Sequence, residues 1–187
     1  MLVKDIIKKS AKILEFNDVI DYYSTNPETI PDEVSEKINK LLLAINLVNN
    51  TIASLYFEIV GSKVIDCKDG LISYSSITTN EIVEIKNIYE NNGLPIKYKV
   101  LSDGVHVASG LYKIVYSYLP PEVDEDDNIN YYTKVNSTLF SYGVVAEYLF
   151  LIGNINEAYV WDNKFKDEIL SLIKTKKNIN MPIGRWY

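Results

Sequence analysis

The spacing of apolar residues changes period twice along this chain, and that change limits the architecture more than any other feature. Val34, Ile38, Leu41, Ile45, Val48, Ile52 and Leu55 recur in alternating steps of four and three, the signature of one helix face. The pattern predicts a helix reaching about residue 57, roughly 40 Å long at 1.5 Å per residue. Thr29 is placed to cap it, Pro31 fits its first turn, and Asp32 and Glu33 suit the positive end of its dipole. Upstream, Val3, Ile6, Ile7, Ile13 and Leu14 predict a short amphipathic helix over 3–16, and the lost periodicity of 17–28 predicts a loop.

Beyond residue 57 the period falls to two. The stretch "EIVEIKNIYENNGLPIKYKVLSDGVHVASGLYKIVYSYLP" alternates β-branched and aromatic residues with polar ones, as strands do. Asn92-Gly93 and Asp103-Gly104 are hairpin signals and Gly110 marks a further turn, so the reading is an antiparallel meander. "PPEVDEDDNINYY" then breaks the pattern with two prolines and a run of carboxylates. The helical period returns with Leu139, Tyr142, Val145, Ala146, Leu149 and Ile152. Gly153 ends that helix, Asn154 and Glu157 resemble a capping box, and Ala158, Trp161, Phe165, Ile169 and Leu172 form the next stripe. So short a connection requires an antiparallel helix pair.

The predicted fold class is α+β: a mainly helical bundle, an inserted small antiparallel β module and an extended C-terminal tail. In residue terms, 1–57 and 132–177 form the bundle, 58–121 the β module, 122–131 an acidic loop and 178–187 the tail.

Composition narrows the function classes. The 187 residues carry a formal charge of −6 and a sequence pI near 4.9, which argues against broad phosphate-backbone binding. Cys67 is alone, so no intramolecular disulfide forms. The N-terminus lacks the h-region of a signal peptide, and no apolar run approaches the roughly 20 residues of a membrane span. The expectation is a cytosolic chain, or one assembled in the cytosol.

Signatures of catalysis are scarce: no P-loop, nucleophile elbow, zinc-protease helix or dinucleotide fingerprint occurs. His106, the single histidine, would have to recruit Ser102 and Asp103 from a tight turn, a poor setting for a triad. The carboxylates of 122–127 lack the glycine and terminal glutamate of a calcium loop, and read as a solvated acidic loop. Glu147, Glu157 and Asp162 have no histidine or cysteine beside them and read as capping and solvent-face charges. The 15 tyrosines, many in the β module, either fill the faces of a small sheet or offer a stacking surface for bases or sugars. No metal, cofactor or catalytic residue is assigned, and the chain is read as not an enzyme.

The ending "KTKKNINMPIGRWY" is unusual, because free termini are commonly polar. Arginine and tryptophan are enriched in interface hot spots, and an extended "MPIGRW" suits a groove or a sheet edge. Two readings stand: the tail docks on a partner, or it folds back on its own bundle.

The segment "LYKIVYSYLPPE", the polar loop, then "LFSYGVVAEYLFLIGNINEAYVWDNKFKDEILSLI" and the closing "IGRWY" resemble the head-to-tail adaptor (connector) proteins of tailed bacteriophages. The resemblance covers most of the chain and implies a structural virion protein of the neck or tail, assembled in the host cytoplasm. Such adaptors form a ring, usually of twelve copies, beneath the portal protein and meet a further adaptor or tail-tube protein on the other side. DNA passes through without specific binding, and no membrane is involved. On this resemblance Ile183, Arg185, Trp186 and Tyr187 are the portal-docking residues. The alternative is another phage tail component, or a binding module working through a tyrosine-rich β face that exposes Tyr74, Tyr98, Tyr112 or Tyr116.

Overall fold

The helical stripes form helices, and the alternating stretch forms strands. The computed structural model describes residues 1–25, 27, 29–130 and 135–174. Helices α1 (Val3–Ile13), α2 (Asn17–Thr25) and α3 (Asp32–Thr51) come first, and a π-helical turn, Ile52–Tyr56, prolongs α3. Strands β1 (Ile59–Cys67) and β2 (Leu71–Ser73), the short helix α4 (Tyr74–Ile77), and strands β3 (Ile82–Glu90), β4 (Lys99–Val100), β5 (Gly104–His106) and β6 (Gly110–Tyr118) follow. Helices α5 (Ser137–Leu151) and α6 (Ile155–Lys174) close the described chain. The fold is α+β. It divides into two units: a helical one from Met1–Val48 and the chain from Val123 onward, and a β-rich one from Asn49–Glu122.

In the helical unit α5 packs against both α1 and α6. Asn136 caps α5, its Oδ1 accepting from the amides of Thr138 and Leu139 at 2.9 Å each. The other end closes as the Gly153 reading requires: Gly153 takes φ +81°, its amide donates to Phe150 O, and the Asn154 amide donates to Leu149 O. This is a Schellman turn, which a side chain at that φ would strain. Asn154 Nδ2 then donates to Glu157 Oε2 at 2.7 Å. Of the predicted α6 stripe, Ala158, Phe165 and Ile169 are buried and Trp161 and Leu172 half-buried. Val145, Leu149 and Ala158 form a shared cluster with Ile13 and Leu14 of the α1 end.

Two local readings need correction. Residues 17–25, expected as loop, form α2, although Val19 is its one buried side chain. Contacts outside the helix compensate for the missing stripe: Lys37 of α3 donates to Asp18 Oδ2 at 2.6 Å and lies over the Phe16 ring. The start of α3 also shifts, since the Ser35 amide donates to Pro31 O, which makes Pro31 rather than Thr29 the residue at the cap.

The β unit is not a meander. It contains two three-stranded antiparallel sheets, ordered β1-β6-β3 and β2-β5-β4. Strand β6 is central because its alternation is the strongest: Tyr112, Ile114 and Tyr116 are buried on one face. It pairs with all of β1, from Ile59↔Tyr118 to Cys67↔Gly110. Its pairing with β3 is interrupted by register shifts after Ile82 and Ile85, which keep Ile82, Ile85 and Ile88 on the core side. Ile72, Ile77 and Val105 of the smaller elements join the same core.

Asp103-Gly104 does mark the β4–β5 hairpin, but not through a left-handed glycine, since Gly104 is not among those of positive φ. A Cβ there would lie 2.3 Å from the carbonyl oxygen of Ile72, so glycine is required by close backbone approach. Gly104→Ala is therefore expected to cost about 3 kcal/mol, at the upper end of overpacking. Asp103→Ala, on the exposed side of the turn, should stay within about 0.5 kcal/mol of wild type. Urea denaturation followed by circular dichroism compares the two.

Candidate functional site

The acidic segment is held down along its backbone. The Val123 amide donates to Asn46 Oδ1 at 2.8 Å, and Asn46 Nδ2 donates to Val123 O at 3.2 Å. Asp124 and Asp127 close a turn, the Asp124 amide donating to Asp127 Oδ2 at 2.8 Å and the Asp127 amide to Asp124 O at 3.1 Å. Tyr23 OH donates to Glu125 Oε2 at 2.7 Å, and Lys4 Nζ to Asp126 Oδ1 at 2.6 Å. The Val3 amide donates to Asp127 O and the Ile129 amide to Met1 O, so the first residues pair with 127–129 as a short bridge. Burial, then the Glu125 carboxylate, push the Tyr23 hydroxyl well above its ordinary range.

Its carboxylates point to several different partners and converge on no common point. Among the described residues no group of three or more His, Cys, Asp or Glu is arranged to hold a metal ion. The segment works as a strap across α1, α2 and α3, with most of its carboxylates exposed. Replacing Asn46 with Ala should lower stability by about 1–2 kcal/mol. Hydrogen exchange at the amides of 123–129 should accelerate by the corresponding factor, whereas a loop without this anchor would show no change.

His106 lies exposed on β5, opposite Leu71 and Lys99. No hydrogen bond joins it to Ser102 or Asp103 among the described residues. Cys67 is a buried free thiol in the β core. The tyrosines of the β module do not form an open stacking face. Tyr112 and Tyr116 are 5% and 8% exposed. Tyr74 and Tyr98 are half-buried, their hydroxyls donating to Leu101 O at 2.7 Å and Ile85 O at 3.1 Å. The conditional reading that these four are exposed is thus corrected: the sheet's apolar core lies on the side where they project, and rings of that size fill it.

An open groove of about 1060 Å³ runs along the start of β3, between Thr79–Ile85 and the rings of Tyr74 and Tyr98. Glu81 and Glu84 give it acidic character, and no His, Cys, Lys or Arg lines it. Glu84 is already paired with Lys86. Hydroxyls of Ser75, Thr78 and Thr79 line it beside these carboxylates.

The paired-carboxylate candidates separate into two roles. Glu157, in the first turn of α6, accepts from Asn154 Nδ2. Glu147 on α5 lies near Asp162 of α6, which is bound to Lys166 at 2.6 Å. Desolvation first, and then the Asp162 charge, raise the Glu147 pKa, with Lys166 acting the other way. Lys164 lies 4.0 Å from the ring centre of Tyr142 and 5.0 Å from that of Trp161, tying the two helices together. The group lies where α5 and α6 pack together, and there it acts on stability. A carboxyl whose pKa is raised on folding contributes stability below the unfolded carboxylate range and loses it as pH climbs through the folded value. Glu147→Gln should accordingly raise the melting midpoint at pH 7 by about 1–3 °C. The gain should vanish near pH 4, about the ordinary glutamate pKa, as calorimetry at both pH values would show.

Ile183, Arg185, Trp186 and Tyr187 lie outside the described residues. Among the described residues no helix is long and apolar enough to cross a membrane. The chain matches no protein-family model and no curated protein.

Proposed function

We propose that this chain is a head-to-tail adaptor of a tailed bacteriophage, a structural subunit that forms a ring under the portal protein and joins capsid to tail. The observation that carries the reading is the division of the chain: a helical unit assembled from both ends of the sequence, interrupted between residues 48 and 123 by a β unit with its own core. That is the layout the resemblance implies. The stretch that carries the resemblance, from Leu139 to Ile173, folds as the packed α5–α6 hairpin.

Two further features support a subunit over an enzyme. The described carboxylates, histidine and cysteine are engaged in strapping, capping or core packing, or stand alone. The acidic balance, −6 per chain, suits a ring through which DNA slides, because like charge prevents retention. A module working through a tyrosine face is disfavoured by the burial of Tyr112 and Tyr116.

In this proposal the closing residues Ile183, Arg185, Trp186 and Tyr187 anchor each copy to the portal, and repetition around a ring turns modest affinity into avidity. Co-expression with the portal protein encoded nearest to this gene tests it. Full-length chain should be captured and should decorate the portal as a ring in negative-stain images. A chain stopping at Lys177 should fold but fail to attach. Capture of both forms would remove the tail from the mechanism while leaving the adaptor role. Capture of neither, with both folded, would overturn the adaptor reading.

A further inference from the structure

Asn92-Gly93 serves the fold as a turn, yet the same dipeptide carries chemistry. Asn92 is the one asparagine in the sequence followed by glycine. The backbone nitrogen after an asparagine can attack the side-chain amide carbon, and glycine, without a Cβ, gives that nitrogen the freest approach. Both residues are exposed just past the end of β3. Gly93 takes φ +82°, and nothing lies within 4 Å of where its Cβ would stand.

The turn sets the reacting groups in order. The Leu94 amide donates to Asn92 Oδ1 at 2.9 Å. That bond closes a ring containing both Asn92 Cγ and Gly93 N, and it folds the side-chain carbonyl back on the next peptide. The same donor stands where negative charge would gather on Oδ1. Asn92 Nδ2, the leaving nitrogen, donates to Glu90 Oε2 at 3.1 Å, beside a carboxylate placed to relay a proton. The Gly93 amide donates to Glu90 O at 2.9 Å, which fixes its peptide plane. We propose that Asn92 is a self-modification site, converting through a cyclic imide to aspartate and isoaspartate. Gly93 N loses its proton and bonds to Asn92 Cγ; the Cγ–Nδ2 bond breaks, and ammonia leaves with a proton relayed by Glu90. Water then opens the imide at either carbonyl. One opening restores the original backbone with an aspartate side chain, and the other routes the backbone through the former side chain. Asn136 and Asn46, by contrast, are held to other groups, Asn136 Oδ1 by the amides of Thr138 and Leu139, and Asn46 by both backbone groups of Val123. Either product places a new carboxylate beside Glu90, in an open groove of about 440 Å³ that Glu90, Asn91, Asn92 and Ser109 line. The inference concerns the β unit alone and stands apart from the adaptor reading.

The test is peptide mapping by mass spectrometry of the full-length chain aged in neutral buffer at body temperature, with isoaspartyl methyltransferase to label the isoaspartate product. The peptide holding Asn92 should convert first, ahead of Asn46 and Asn136 by at least about tenfold, with ammonia released in step. Glu90→Gln should slow the conversion at least about tenfold by removing the proton relay, while its circular dichroism stays that of wild type. A synthetic peptide of residues 88–96 gives the rate without the folded turn, and the full chain should convert within about threefold of it, or faster. Asn92 intact while other asparagines convert would overturn the proposal. So would a rate about tenfold below that of the peptide, which would mean that the turn protects the site. A rate indifferent to Glu90→Gln would overturn it equally.

Discussion

The helical unit depends on α5 being apolar around nearly its whole circumference. Leu139, Phe140, Val144, Val145, Tyr148 and Leu149 are all buried, and a helix of that kind must be covered on several sides. Helix α6 covers one, α1 another, and α3 approaches so closely that a Cβ at Gly143 would lie 3.0 Å from Val48 Cγ1 and 3.1 Å from the Phe165 ring. Both ends of α5 have their backbone groups satisfied locally, by Asn136 and by the Schellman turn. A helix capped at both ends and wrapped by its neighbours has few alternative placements.

That arrangement explains why the acidic segment matters although it carries no chemistry of its own. The strap leads into α5 and is fastened to the three helices that precede the β unit: Asn46 of α3 to Val123, Tyr23 of α2 to Glu125, and Lys4 of α1 to Asp126. Closing a long loop costs entropy that grows only slowly with its length. The intervening β unit has its own core of isoleucines and tyrosines, so much of that loop is ordered by separate contacts. The exposed Lys4–Asp126 ion pair within the strap is worth little. The Asn46 bonds, which satisfy both backbone groups of one residue, contribute more.

The functional reading rests on how completely the ionisable groups are used for structure. The Tyr23 hydroxyl, the Glu157 carboxylate and the Asp162–Lys166 pair each have a geometric task. Among the described residues, the surfaces left open include the groove beside β3.

By itself the sequence determined the elements whose signal is local. The stripes of α1, α3 and α6, the Gly153 stop, the Asn154–Glu157 start and the alternation of β6 are each written within one or two turns or a single strand, so reading them needed no partner; α5 was legible as a helix, but the expected stripe was too narrow, since Phe140, Val144 and Tyr148 are buried outside it and Ile152 is exposed. The tertiary structure decided everything that depends on who lies opposite. Helix α2, with one buried side chain, is held by contacts to other elements: it packs on α1, bonds Glu125 through Tyr23 and pairs with Lys37 through Asp18. The placement of β6 between β1 and β3, the inward face of the tyrosines and the anchoring of the acidic segment depend on pairings between distant residues. Gly104 shows the difference in one position. Its presence in a turn was legible, but its reason, the Ile72 carbonyl where a Cβ would stand, exists only once a second strand has come alongside.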